Sequence, residues 1–118
     1  ELRRRNIVFG KLDPALYAEK LSTGVRRKNP EEALLDTLVV SALIEARSSE
    51  RLGMLAEHVE DRQLQAFYRA LQPAEDRHWQ LLLELAGQHG DFSGRLDFFA
   101  AQEARIIQQG ENLVRIHA

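Results

Sequence analysis

The feature that most constrains the fold is a pair of long amphipathic stretches separated by a short polar break near residues 60–61. In both stretches, residues suited to a core recur at alternating steps of three and four, which places them on one face of an α-helix. Two such helices joined by a short break fold back on each other as an antiparallel hairpin. The first stretch carries Leu35, Leu38, Ala42, Glu45, Ser49, Leu52, Ala56 and Val59, and the second carries Leu64, Phe67, Leu71, Glu75, His78, Leu82 and Leu85.

Helix-start signals set the boundaries of this hairpin and of its neighbours. Asp13-Pro14 and Asn29-Pro30 each place a capping side chain before a proline at the first helical position. They predict a short helix from residue 14 to about 25 and a hairpin over residues 30–86. A last helix is predicted over residues 93–109, before Gly110, with an extended tail after it. No segment alternates as a strand does, so the predicted fold class is all-α, with one domain over residues 1–118.

Composition narrows the chemistry that is open to the chain. The 118 residues include no cysteine, so any metal must be held by carboxylates and imidazoles. No apolar run approaches the roughly 20 residues that a membrane-spanning helix needs. We therefore expect a cytoplasmic protein with no membrane partner. The chain begins at Glu1 without an initiator methionine, and we expect it to be processed, trimmed or part of something longer.

Charge is distributed unevenly along the chain. Residues 1–28 contain eight basic and three acidic side chains, whereas the formal net charge of the whole chain is −2. A basic entry segment on an acidic body can contact a phosphate backbone, and it can equally be a solubilising arm. Both interpretations stay open on the sequence alone.

The polar interruptions of the two stripes fall at one height of the predicted hairpin. Glu45 precedes residue 60 by as many positions as Glu75 follows it, and His78 lies one turn beyond Glu75. Two carboxylates that face each other in an interior need a cation or a shared proton. Glu75 and His78 project from one helix face and can bind one metal together, with Glu45 reaching across. Oxygen and imidazole ligands without sulfur suit iron or manganese.

Structural alternatives to a metal site exist for this trio. A Glu-x-x-His motif is short enough to arise by chance, and a buried Glu–His hydrogen bond or an ion pair with Arg47 or Arg77 accounts for the same pattern. Glu50 is the main rival to Glu45 as a ligand, but it stands off the stripe.

The sequences around the trio resemble a known family. Residues 44–51 read Ile-Glu-Ala-Arg-Ser-Ser-Glu-Arg and residues 74–78 read Ala-Glu-Asp-Arg-His. This pair of strings is similar to the tRNA 2-methylthio-isopentenyladenosine hydroxylases (MiaE-type), and the resemblance covers nearly the whole chain. The chain departs from the family at Ser49, where cysteine is common, and at Pro73, which we expect to kink or restart the second helix.

The resemblance implies a tRNA-modifying non-haem di-iron monooxygenase that hydroxylates the isopentenyl group of an adenosine beside the anticodon. Its cofactors would be two iron ions, with O₂ as co-substrate, and its partners would be tRNA and an electron-donating reductase. Glu45, Glu75 and His78 would be iron ligands. The resemblance also makes a tRNA contact at the basic segment more credible. The other residues that it singles out are Arg47, Glu50 and Arg51 beside the ligands and Arg26, Arg27 and Lys28 as the tRNA contact.

The resemblance further implies that the chain is the C-terminal half of a ferritin-like four-helix bundle. A di-iron centre of this kind uses four carboxylates and two histidines, and this chain supplies half of them. We expect either a missing N-terminal half or a second copy to complete the site, and the lone chain to be inactive. Two other functions stay open: a ferritin-like ferroxidase or peroxide-scavenging protein, and a metal-free helical interaction module.

Overall fold

The computed structural model describes residues 14–117, and side chains for residues 14–112. These residues form four helices without any strand, which confirms the all-α prediction. The predicted basic segment lies partly outside this range, because residues 1–13 are not described. The helices are α1 (Pro14–Ser22), α2 (Pro30–His58), α3 (Arg62–Gln88) and α4 (Ser93–His117).

Side-chain caps define the two ends of the hairpin that the sequence predicts. The carboxamide oxygen of Asn29 accepts hydrogen bonds from the backbone N–H groups of Glu31 and Glu32, at 2.9 and 3.2 Å. The carboxylate of Asp61 does the same for the first turn of α3, at 2.8 and 3.2 Å. These bonds satisfy donors that a helix leaves free at its start. Only three residues separate His58 from Arg62, so α2 and α3 fold back as an antiparallel pair.

Three predicted boundaries differ from the structure. α1 ends at Ser22 rather than near residue 25, where the chain turns through Thr23 and Gly24. α3 continues through Pro73 without a break, so the helix does not restart there. The prediction of an extended tail is wrong for residues 111–117, because α4 continues through Gly110 to His117. Gly110 is buried within this helix, although glycine has a weak helix propensity.

The hydrophobic core lies behind α2, on the side where α1 and α4 pack. Tyr17 and Leu21 of α1 meet Val39 of α2 and Phe99 of α4, and all four are at most 4% exposed. Burial of such side chains contributes about 1.5–3 kcal/mol each. α1 and α4 therefore hold α2 in place from behind, while α3 packs along its other side.

A fully buried carboxylate joins the loop before α2 to the start of α4. Asp36 accepts hydrogen bonds from the guanidinium groups of Arg26 and Arg95, at 2.8–3.0 Å, and from the Arg26 backbone N–H at 2.9 Å. Arg95 also donates to the Gly24 carbonyl at 3.1 Å and lies over the ring of Phe98, 4.4 Å from its centroid. Burial on its own would raise the pKa of Asp36, but the bonds from Arg95 and Arg26 outweigh it and lower that pKa to about 2.

Gly24 is required by the closeness of this packing. A Cβ atom there would stand 2.8 Å from the ring of Phe98 and 3.1 Å from that of Phe99. Those rings are held by the core and by Arg95, so a side chain at this position would displace α4 from α1.

One face of the hairpin is apolar and open. Large apolar side chains on this face are between 37% and 56% exposed. Among all residues of α3, only Ala86 is buried. The predicted stripe of α3 therefore borders the contact with α2 rather than filling it. No described helix has the length and hydropathy of a membrane span. We call this surface the open face: Leu34 and Leu55 of α2, with Leu64, Phe67, Leu71 and Leu81 of α3.

Candidate metal centre

Glu45, Glu75 and His78 come together on the open face. Glu45 lies near the middle of α2, and the other two lie one turn apart near the middle of α3. Each residue offers one ligand atom, and these atoms all lie within 4.8 Å of one another. His78 Nδ1 stands 3.9 Å from Glu45 Oε2. The hairpin thus brings all three predicted ligands to one height.

The trio is more open to solvent than a sealed interior would be. The side chain of Glu45 is 34% exposed and that of His78 is 61% exposed. These side chains are exposed because no described element covers this part of the open face. Any metal site that the trio forms is therefore bounded on one side only by the described residues, and an element covering the open face would remove the trio from water.

The carboxylates disturb each other in the absence of a cation. A hydrogen bond shared with Glu75 raises the pKa of Glu45, and burial and the negative charge of Glu75 raise it further. His78 opposes this shift, because a positive imidazolium favours the ionised carboxylate. Two carboxylates this close hold a proton between them or gain from a metal ion that replaces it.

The donor set fits a first-row transition metal. Two ligand atoms that each lie about 2.1 Å from an ion are at most ~4.2 Å apart. The trio needs an inward shift of only a fraction of an ångström to reach this spacing, and half-exposed side chains can make it by rotating. Two oxygens and one nitrogen without sulfur suit iron, manganese or zinc rather than a soft metal.

The residues that the family resemblance places beside the ligands have other partners in the described chain. Arg47 pairs with Glu50 on its own helix and with Glu103 of α4, at 3.1 Å in the second case. Glu103 also accepts a 2.6 Å hydrogen bond from the hydroxyl of Tyr17, so the group ties α1, α2 and α4 together. Glu50, the rival ligand, does not join the trio. That Arg47, Glu50 and Arg51 support the ligands stays a prediction.

The basic residues singled out for tRNA divide into two kinds. Arg26 uses its guanidinium to hold Asp36 and also pairs with Glu32 at 3.1 Å. Arg27 and Lys28 are exposed at the end of the loop that leads into α2. The structure therefore gives Arg26 a role in the fold and leaves its two neighbours as the candidates for a phosphate contact.

A polar link between α2 and α3 was not predicted from the sequence. The hydroxyl of Ser49 donates to Asp76 Oδ1 at 2.6 Å, and the indole N–H of Trp79 donates to the same oxygen at 3.1 Å. Ser49 belongs to the predicted stripe of α2, so its position was a signal that a polar partner should face it. Asp76 carries no such signal, because it lies beside the stripe.

Comparisons with known proteins bear on this geometry. A family model described as "tRNA-(MS[2]IO[6]A)-hydroxylase (MiaE)" matches residues 1–118. A tRNA 2-(methylsulfanyl)-N(6)-isopentenyladenosine(37) hydroxylase from Pseudomonas putida is 37% identical over 99% of this chain and 58% of its own length. A protein of the same name from Salmonella typhimurium is 38% identical over 99% of this chain and 43% of its own length. The chain thus spans about half the length of these relatives. No solved structure matches it significantly. The full-length match to the family model shows that the chain belongs to the MiaE family.

Proposed function

We propose that this chain is the C-terminal portion of a tRNA-modifying, O₂-dependent di-iron hydroxylase that acts on the isopentenyl group of a modified adenosine beside the anticodon. The observation that carries this proposal is the meeting of Glu45, Glu75 and His78 on one face of the hairpin. The names of the two relatives support the proposal, because both are called hydroxylases of isopentenyladenosine in tRNA. A cytoplasmic location follows from this substrate.

In this proposal the three side chains form half of the iron site. Glu45 and Glu75 supply carboxylate oxygens from facing helices, and His78 supplies an imidazole nitrogen. Iron held there provides the oxidising chemistry with O₂ and two electrons from a reductase partner. The protein's own part is to fix the ligands and to exclude water from the reacting group. The apolar side chains of the open face are suited to that second task once they are covered.

A second set of ligands has to arrive from outside the described residues. The trio is one wall of a site, and the open face around it is unpartnered within residues 14–112. The relatives are longer than this chain, with 42% or more of their length outside the match. The proposed completing element is an N-terminal half with its own ligands or, failing that, a second copy related by a two-fold axis.

A chimera tests the proposal. The matching portion of the Pseudomonas putida relative is replaced by this chain, and the chimera is produced in cells that lack the hydroxylase. We expect the hydroxylated nucleoside to appear in digested tRNA, as measured by mass spectrometry, because the trio completes the iron site of the relative. The control chimera carries Glu75→Ala and should give only the unhydroxylated nucleoside.

Other results of the chimera experiment would count against the proposal. A folded chimera that binds iron and speeds the oxidation of Fe(II) without forming the nucleoside would support a ferroxidase. A folded chimera without bound iron would support a helical interaction module. A soluble chimera is required for either conclusion, so its helical content is measured by circular dichroism first.

The tRNA contact is tested at Arg27 and Lys28. Replacing both with alanine in the chimera is expected to weaken tRNA binding and to lower the slope of log affinity against log salt by about 1 for each residue, because each exposed cation releases counterions from the phosphate backbone. The control replaces Arg62 and Arg69, which are exposed on α3 toward the other end of the hairpin. An equal loss of affinity and slope in both variants would reject a specific contact at Arg27 and Lys28.

A further inference from the structure

A polar link joins the two helices that carry the trio. Asp76 of α3 accepts two hydrogen bonds at one carboxylate oxygen, from Ser49 of α2 and from Trp79 one turn further along α3. Ser49 is only 4% exposed, and the 2.6 Å separation is typical of a strong bond to a charged acceptor. We call these three residues the hairpin clamp.

Each clamp residue lies within one helical turn of a ligand in the sequence. Ser49 lies one helical turn after Glu45, Asp76 directly follows Glu75, and Trp79 directly follows His78. Asp76 and Trp79 each point about 100° away from the ligand that precedes them on α3, whereas Ser49, four positions after Glu45, lies on nearly the same face of α2 as Glu45. The link therefore crosses between α2 and α3 about one helical turn from Glu45 and directly beside Glu75 and His78 in the sequence.

Packing beside the clamp leaves one part of the contact between α2 and α3 unfilled. A cavity of about 420 Å³ borders the clamp, between α2, α3 and the start of α4. Ala42 and Ala46 line it from α2 and leave space opposite Leu83 of α3. Side chains that line this cavity have no packing partner on its open side, so they resist a shift of α3 along α2 less than closely packed side chains do. The hydrogen bond from Ser49 to Asp76 does not depend on close packing, because its strength is set by the distance and angle between its own atoms.

We propose that the hairpin clamp is a positioning device that sets the height of Glu45 relative to Glu75 and His78. Shifting the register of one helix by a single residue moves each of its ligands by about 1.5 Å along the helix axis and by about 100° around it. Ligand atoms that now lie within 4.8 Å of one another would separate under such a change. This inference rests on the proposed metal function for its purpose, but the geometric effect of the clamp is measurable without metal.

The test compares clamp variants of this chain by two readouts. The first is the affinity for Co(II), titrated alone by its visible absorption. The second is the nuclear Overhauser contact between the Glu45 side chain and the His78 ring in the metal-free protein. Ser49→Ala and Asp76→Ala are each expected to lower Co(II) affinity roughly 10-fold, as loss of supporting groups around a metal site does, and to weaken the contact.

Matched variants separate positioning from a general loss of stability. Asp76→Asn keeps an oxygen acceptor and should keep most of the affinity and the contact. Trp79→Phe removes one of the two bonds and should have a smaller effect than Asp76→Ala. Thr37→Ala removes a hydroxyl that bonds within α2, to the Ala33 carbonyl, and should change neither readout. The double variant at Ser49 and Asp76 should lose no more than Asp76→Ala, because both changes remove the same bond.

One pattern would overturn the inference. Clamp variants that melt at a lower temperature but keep the wild-type Co(II) affinity and the Glu45–His78 contact would show that the link is structural only. If the wild-type chain binds no Co(II) through the trio without the second set of ligands, the contact in metal-free protein decides the clamp. Should Asp76→Ala not fold, Ser49→Ala and Trp79→Phe decide it.

Discussion

Replacing Asp36 with alanine is expected to lower the free energy of unfolding by roughly 3–5 kcal/mol, the cost of breaking a buried ion pair by removing one partner. Asp36 is fully buried, and it accepts bonds from two arginines that come from different parts of the chain. Without it, Arg26 and Arg95 would face each other across a desolvated gap. The measurement is urea unfolding followed by circular dichroism. Asp97→Ala, at an exposed position on α4, is the control and should stay within about 0.5 kcal/mol of wild type.

Acid unfolding gives an independent measure of the same group. The pKa of Asp36 is lowered to about 2, against roughly 3.9 in an unfolded chain. Its stabilising contribution is therefore complete above pH ~4 and is lost as pH falls through 2, with a size of about 2 kcal/mol. Asp36→Asn should show a flatter decline of stability over this range. An identical acid profile in the two proteins would mean that the arginines do not hold the carboxylate in its charged form.

Replacing Glu75 with alanine is expected to lower the affinity for Fe(II) or Co(II) more than about 100-fold, because it removes a ligand rather than a supporting group. Two donors, Glu45 and His78, would remain on the described wall of the site. Metal content and titration by visible absorption measure the effect. Glu84→Ala, at an exposed position on the same helix, is the control and should leave the affinity unchanged.

The stability of the metal-free variant separates a metal site from a structural one. Glu75 raises the pKa of Glu45, so the two carboxylates repel each other when both are ionised. Glu75→Ala relieves this repulsion, and the metal-free protein should melt at the same temperature or higher. A large drop in melting temperature, with metal affinity unchanged, would show that Glu75 acts as a structural hydrogen-bonding partner.

The parts of the fold that follow from local chemistry were predictable. Asn29 and Asp61 mark helix starts because their side chains bond the first free N–H groups, and the structure has those bonds. The spacing of Glu45, Glu75 and His78 predicted their meeting, since a short turn fixes which positions of a hairpin are level. Family membership was predictable from the two short strings around these residues.

The parts that depend on tertiary packing were not. Asp36 lies among apolar residues, but the arginines that neutralise it come from a loop and from α4, which helix periodicity cannot relate. Arg26 was grouped with Arg27 by charge, although its donors are committed to Asp36. Gly110 suggested a helix end, whereas α4 continues through it to His117. In the first two cases a partner distant in sequence decides the outcome.

The core lies behind α2, so the residues that stabilise the fold differ from those that surround the trio on the open face. The residues that keep these four helices folded, such as Val39 and Phe99, are not those of the open face. Substitutions on the open face should therefore leave the chain folded. A charge placed at Phe67 should prevent the proposed second set of ligands from packing there, while leaving the helices intact. In the proposed function, the second set of ligands would meet helices that are already folded around their own core.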